Sequence, residues 1–487
     1  MFGLDAGRAM DFDAGSTRET PIMDLKVATH PSRNDAGPAD PPSVAWASAF
    51  AEHAPRINVP VPGPKSLDMY QRCRAREFGH FQWVEMAQVG FVEGRGVTLE
   101  DCDGNIFIDI THGHMGASLG HANPEVIAAV EKQIRRVMHL RNNPNDVRAE
   151  LMEKLATITP GDLNRFAFYS SGTEAAEGAM RVARAITGGH EFISFYGDYH
   201  GRTTGAMSTA WGSVMSGPRL GGFHTFPNAW CHRCEFGLEP SSCNLHCVDY
   251  VERAIRSNSH GALAGIIAEP ITNGSGARVF PDGYLRGLRE IADRLGCLLI
   301  FDEHATGLGR TGAMWAGDHE GVVPDVIFFG KTLGNGYPVT VVACREEYHD
   351  KLNTDGQSST HGGQPVACAA ALASLEIILR DDLTGHCART GAATLAFMQG
   401  IAERHPCVDV AQGRGLQLAF EFVDPVTGQP SPAVAEAVFK ECTRRGVWPS
   451  VVHTTIRVSP MMVTSQKVAL KIMGIVEEAI AHVESHF

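Results

Sequence analysis

The stretch Val326–Pro338, VIFFGKTLGNGYP, sets four apolar residues and a glycine directly before Lys331 and follows it with a run of turn-formers. A short unbroken apolar run bounded by turn signals predicts a strand buried on both faces, as in a parallel sheet. A lone lysine leaving such a strand ordinarily escapes to solvent. An ammonium at the end of a buried strand also has a second reading, as a group held there for chemistry.

The same pattern recurs on either side. FAFYS (166–170), FISFYGD (192–198), LAGIIAEP (263–270) and CLLIFDE (297–303) are further short apolar runs, interleaved with the helical segments AAEGAMRVARAI (175–186) and DGYLRGLREIADRLG (282–296). Alternating strands and amphipathic helices predict an α/β fold with a mostly parallel sheet covered by helices. We expect this large domain over 111–374. Residues 51–110 and 375–487 are expected to form a smaller α/β domain from both chain ends. Within FVEGRGVTLEDCDGNIFIDI (91–110) two strands are predicted, joined by a turn at Asp103-Gly104. EVIAAVEKQIRRV, after Pro124, has helical spacing. Residues 1–50, rich in Asp, Ala, Pro, Ser and Arg, predict a disordered or loosely docked tail.

Composition narrows the partners. A chain of 487 residues, 44% hydrophobic and 20% charged, has the make-up of a globular protein, and a net charge of −13 disfavours nucleic acid and anionic membranes. No apolar run reaches the roughly 18–20 residues of a membrane span, and the N-terminal sequence lacks a basic segment followed by an apolar one. The reading is a cytoplasmic protein.

In a parallel sheet, ligands sit beyond the carboxyl ends of the strands. FAFYS runs into SSGTEAAEG (170–178), where a helix starts. Gly172 permits a sharp turn, and Ser171, Thr173 and the free first-turn amides offer donors to an anion, although serine, glycine and threonine before a helix are also ordinary caps. CLLIFDE ends on Asp302-Glu303, and VIFFGK ends on Lys331, 29 residues beyond Asp302. A phosphate cup, a carboxylate and a lysine at one sheet edge fit one cofactor, pyridoxal 5′-phosphate (PLP). The lysine holds its aldehyde as a Schiff base, the carboxylate keeps its ring nitrogen protonated, and the helix start takes its phosphate.

With these residues in view, the chain resembles the class III aminotransferases of PLP fold type I, the family of ornithine, 4-aminobutyrate and acetylornithine aminotransferases. The resemblance spans about Gly94 to Pro460. It rests on LEDCDGNIFID, LGHANPEV, YSSGTEAAEGAMRVAR, FYGDYHG, AEP with GYL, FDEHATGLGRTG, PDVIFFGKTLGNGYP and STHGGQPVACAAA. It implies that Ser171, Gly172 and Thr173 bind the phosphate and that Tyr199 stacks on the pyridine ring. His200 and His304 would lie against the cofactor, Asp302 would pair with the ring nitrogen, and Lys331 would carry the Schiff base. Thr360 would reach the phosphate of a partner subunit, which implies a homodimer with shared active sites. Glu269 would lie on the substrate side. Arg457, in TTIRVSP, would grip a substrate carboxylate in two parallel bonds; the competing reading is an exposed strand arginine.

Departures from the family pattern bear on substrate choice. DEHATG places His304 where an aliphatic residue is usual and Ala305 where glutamine is common, while Ala176, His361 and Gln364 replace an asparagine, an aromatic residue and another asparagine. The insertion 228–250 adds WCHRCEFGLEPSSCNLHC, with Cys231, Cys234, Cys243 and Cys247 as two close pairs. These four could ligate zinc or an iron–sulfur cluster, or remain thiols or disulfides.

The reading that results is a PLP-dependent aminotransferase passing an amino group from an amino acid donor to an aldehyde or keto-acid acceptor by a ping-pong mechanism. A racemase, 2-epimerase or decarboxylase on the same scaffold is the alternative. A metal-containing binding protein without turnover is disfavoured by the intact Lys331, Asp302 and Ser171–Thr173 set.

Overall fold

A strand that is apolar at every position needs cover on both faces, and the fold supplies it. The computed structural model of the chain describes residues 39–79, 82–210, 219–352 and 355–487. Its central element is a seven-stranded sheet. From edge to edge the strands are Arg165–Tyr169, Thr340–Cys344, Val326–Phe329, Leu298–Asp302, Leu263–Ala268, Glu191–Phe195 and Phe223–Phe226. All run in one direction except Thr340–Cys344, which pairs antiparallel with both neighbours. That strand and the edge strand Phe223–Phe226 were not anticipated. The other five coincide with the predicted apolar runs.

Alternate side chains divide between the two faces. Ile300, Phe328 and Val342 pack with Ala175, Ala179, Met180 and Ala183 of the helix Gly172–Thr187. Leu299, Phe301, Ile327 and Phe329 join the opposite core, to which the helix Tyr284–Leu295 contributes Leu285, Leu288 and Ile291. This is the α/β arrangement expected, a mostly parallel sheet covered by helices.

Two smaller sheets flank it. Phe91–Arg95, Thr98–Asp101 and Ile106–Asp109 form an antiparallel meander, and the late strand Val447–Trp448 adds to it in parallel. The two strands expected over 91–110 are therefore three. Besides the turn at Asp103-Gly104, the chain reverses at Gly96, whose φ of +51° suits glycine. Val408–Arg414, Gln417–Phe422, Thr455–Val458 and Ser450–Val452 make an antiparallel sheet that carries Arg457.

The expected tail lies largely outside the described residues, but its last part is a correction. Pro42–Ala49 is a helix with Val44 and Ala47 fully buried. Its Ser43 amide donates to Asp381 Oδ2 at 3.1 Å and Ser48 Oγ to the carbonyl of Val463 at 3.2 Å. Proline at the first helical position and small apolar residues after it made this segment foldable, while the polar composition upstream concealed it.

Arg310 ties the main sheet to the sheet of Arg457. It is fully buried. Nη1 donates to the carbonyl of Pro460, just beyond the Arg457 strand, and Nη2 donates to Ser118 Oγ at 2.8 Å. Its own carbonyl accepts from Leu416 N at 3.0 Å. Replacing Arg310 with methionine fills the space but strands these acceptors, so urea denaturation should show a loss of about 3 kcal/mol. Lysine, with a single donor head, should recover only part of it.

Candidate active site

Because the strands run together, their carboxyl ends bring separate pieces of sequence to one edge. Ser170–Thr173 follow Arg165–Tyr169, and Asp198–His200 follow Glu191–Phe195. Glu269 follows Leu263–Ala268, Asp302 closes Leu298–Asp302, and Lys331 lies two residues past Val326–Phe329. Thr340, opening the antiparallel strand at this edge, donates its hydroxyl to the carbonyl of Ser171 at 3.1 Å.

Asp302 is buried, and its Oδ2 lies 2.8 Å from His200 Nδ1 while His304 Nδ1 is 3.4 Å from Oδ1. Burial alone would raise this carboxyl. The His200 hydrogen bond and the nearby His304 imidazole outweigh it and hold Asp302 well below the usual carboxylate range. Neither ring nitrogen of His304 has a hydrogen-bond partner among the described residues, and the ring lies against Gly172, where a Cβ would sit 2.9 Å from Nε2. Any side chain at 172 would displace the imidazole.

Lys331 makes no hydrogen bond or ion pair among the described residues. Burial lowers its pKa, opposed by Asp302 and Glu269 and aided by Arg457. A buried amine biased toward its neutral form is nucleophilic. Glu269 accepts from the amides of Tyr199 at 3.3 Å and Asn273 at 2.6 Å, and lies outside ion-pair distance of Arg457. Burial and then Asp302 push it up to about 7.

At the helix start, Ser171 is the N-cap of Gly172–Thr187. Its Oγ accepts from Glu174 N at 3.4 Å and donates to Glu174 Oε2 at 3.0 Å. The capping reading of this serine therefore describes a real contact. The amides of Gly172 and Thr173 have no helical acceptor and remain for an anion. Thr173 Oγ1 accepts from the amides of Arg202 at 3.1 Å and Thr203 at 3.0 Å, joining the cup to the loop that bears Tyr199 and His200. Tyr199 is half-buried.

Arg457 is not an exposed strand arginine. It is 9% exposed, and Nη1 lies 3.2 Å from His114 Nδ1. Thr360 is exposed on a loop, with its carbonyl 2.8 Å from His139 Nε2.

Sequence reasoning missed two residues here. Asp198 is completely buried, with Oδ2 3.8 Å from His200 Nε2 and accepting from Glu269 N at 3.2 Å. Burial first, and then the charges of Glu269 and Asp302, hold its carboxyl well above the ordinary range. It ends FISFYGD, so the strand-end rule could have found it. His114, in the turn THGHM, carried no such signal.

The four-cysteine metal centre is not supported. Among the described residues no group of three or more His, Cys, Asp or Glu side chains is placed to hold a metal. Cys231, Cys234, Cys243 and Cys247 are free, half-buried thiols around a small apolar cavity with Phe236 and Leu238. Burial raises Cys231 and pushes Cys247 up to about 11. His232 is committed to Asp409 Oδ2 at 2.8 Å, which pins the loop to the strand Val408–Arg414.

The donor set fits PLP, with a half-buried amine unpartnered among the described residues, an ionised carboxylate and an open helix N-terminus at one sheet edge. The class III aminotransferase family model matches residues 81–480. The chain belongs to the class III aminotransferases. It is 36% identical to the acetylornithine aminotransferase of Methanopyrus kandleri, over 71% of this chain and 84% of that protein. It is 30% identical to the alanine/serine racemase of Pyrococcus horikoshii, over 88% and 92% respectively. An amine transaminase from an uncultivated Pseudomonas species, solved in its PLP-bound form, superposes with a TM-score of 0.78 at 28% identity, covering 84% of this chain and 99% of that one. This is a PLP-dependent aminotransferase with the fold type I architecture. Among the described residues no helix is long and apolar enough to cross a membrane.

The carboxyl of Glu269 generates a pH prediction. Its folded pKa of about 7 exceeds its ordinary 4.5, so from about pH 4.5 to 7 the folded protein keeps a proton that the unfolded chain has lost. Stability contributed at this residue therefore falls as pH rises through that window, by up to about 3 kcal/mol. The melting temperature of the cofactor-free protein should decline between pH 5 and 8, and Glu269→Gln should flatten that decline.

Proposed function

We propose that this aminotransferase takes an amino group from an amino acid donor and passes it to an aldehyde or keto-acid acceptor in two half-reactions at one pocket. The observation that carries the site assignment is Lys331, a half-buried amine without a partner among the described residues, at the same sheet edge as an Asp302 kept ionised by His200. When bound, PLP supplies the electron sink for the bond broken at the donor's amine-bearing carbon.

The chain's own residues do the rest. Lys331 would anchor the cofactor's aldehyde, and its freed amine would serve as the base that takes the proton from the donor carbon and as the acid that returns it. Asp302, kept ionised, would hold a proton on the ring nitrogen by its charge. Ser171, Gly172 and Thr173 take the phosphate at the helix start, where amides and dipole favour an anion. Tyr199 and His304 would lie against the cofactor's ring, with His200 fixing Asp302. Arg457 orients the donor through its carboxylate. Thr360, exposed on its loop, is read as the phosphate contact of a second copy, so the working unit is a homodimer in the cytoplasm.

The second reading, racemisation, is favoured by one observation, the 30% identity to a protein named alanine/serine racemase. Incubation with an amino acid and no acceptor separates the two. Transamination stops after one equivalent and leaves the amino group on the enzyme, whereas racemisation continues until optical activity is gone.

Lys331→Ala should lose the borohydride-sensitive visible absorbance and all but a trace of turnover; retained steady-state activity would remove Lys331 from the mechanism. Asp302→Asn should keep that absorbance yet turn over about a thousandfold more slowly, roughly 4 kcal/mol, because a neutral amide cannot hold the ring nitrogen protonated.

A further inference from the structure

His114 sits in a turn that ordinary side chains avoid. His112, Gly113, His114 and Met115 all have positive φ, and His114 itself lies at φ 59° and ψ 48°. Outside glycine, asparagine and aspartate this left-handed region is costly, and such strain concentrates where a side chain must be placed for function. The turn sets the imidazole 4.9 Å from the ring of Trp83 and 3.2 Å from Arg457 Nη1.

The chemistry of that contact is one-sided. A guanidinium only donates, so His114 Nδ1 accepts and the ring proton lies on Nε2. Among the described residues the charged groups acting on the imidazole are the cations Arg457, Lys331 and Arg202, and burial first, then these, hold its pKa down at about 3. His114 is thus a neutral acceptor throughout the working pH range. On Arg457, Nη1 is occupied by His114 while Nε is buried with no hydrogen-bond partner, and no carboxylate stands within ion-pair distance among the described residues. Glu269, the nearest candidate, is held by backbone amides instead.

We propose that His114 positions the carboxylate fork: by holding Nη1 it turns the Nε–Nη2 edge of Arg457 into the cleft, where that edge grips the carboxylate of an amino acid donor side-on. The proposal rests on Arg457 as the donor's carboxylate ligand. His114 is a positioning residue and touches no reacting atom. As a neutral partner it orients the guanidinium without cancelling its charge, which an aspartate at this place would do.

The test compares two donors, the common amino acid that the wild-type holoenzyme turns over fastest and the amine with the same side chain but no carboxylate. His114→Gly fits the backbone and removes the acceptor; it should raise KM for the amino acid about tenfold, keep kcat within about twofold and leave the amine's constants unchanged. His114→Asn tolerates the left-handed turn and keeps an acceptor near the position of Nδ1, so it should restore KM to within about threefold. His114→Asp should pair with Arg457 as an anion and raise the amino acid KM about a hundredfold. Equal losses for both donors in H114G, or an H114N enzyme no better than H114G, would overturn the role of His114. Should H114G not fold, an H114D enzyme with an unchanged amino acid KM would overturn it alone. Arg457→Ala, run in parallel, separates the two levels. If it weakens both donors alike, the carboxylate reading of Arg457 falls and takes this proposal with it. If it is selective while H114G is not, only His114 is excluded.

Discussion

The site depends on strands that run in the same direction. Five strands of the main sheet deliver their carboxyl ends to one edge, and each delivers one kind of group: anion donors after Tyr169, an imidazole and a phenol after Phe195, carboxylates at Glu269 and Asp302, and an amine at Lys331. Strands of alternating direction would scatter these groups between two edges. The one antiparallel strand, Thr340–Cys344, begins at the site edge and uses its first residue to brace the carbonyl of Ser171.

Gathering these groups concentrates charge in a buried place. Asp198, Glu269 and Asp302 lie close together, with Lys331 and Arg457 as the cations facing them. Three ionised carboxylates at such distances would repel strongly, and the site resolves this by pushing their acidities apart. Asp302, bonded to His200, stays ionised, while Glu269 and Asp198 move toward their neutral forms. Arg457 is lowered to about 10 by burial yet remains charged. A cationic ring nitrogen next to Asp302 would complete the balance, which is a physical reason for the pocket to favour a protonated pyridine.

Elements outside the main sheet set the reach of the pocket. The strand carrying Arg457 belongs to a separate antiparallel sheet, and its end is held in register by Arg310 from the loop after Asp302. The strained turn at His114 adds a contact from near the start of the described chain. The cysteine-bearing loop is anchored through Trp230 on Gln412 and through His232 on Asp409, and no metal-binding group forms there among the described residues.

Much of this architecture was legible in the residues themselves. An apolar run such as VIFF has one stable environment, a strand covered on both faces, and a strand so placed announces its polar terminus; Lys331, Asp302 and Ser171–Thr173 were singled out for that reason, and they lie at one sheet edge. The number of strands over 91–110, the helix Pro42–Ala49 and the strand Thr340–Cys344 were not, because short elements are settled by the partners that cover them. The tertiary structure alone decided that Arg457 is buried, that its partner is His114, 343 positions away, and that four cysteines with metal-like spacing form no metal-binding group among the described residues. Spacing along a chain constrains which groups are neighbours in sequence, whereas distance and burial between remote segments come from packing, and it is packing that sets each group's charge.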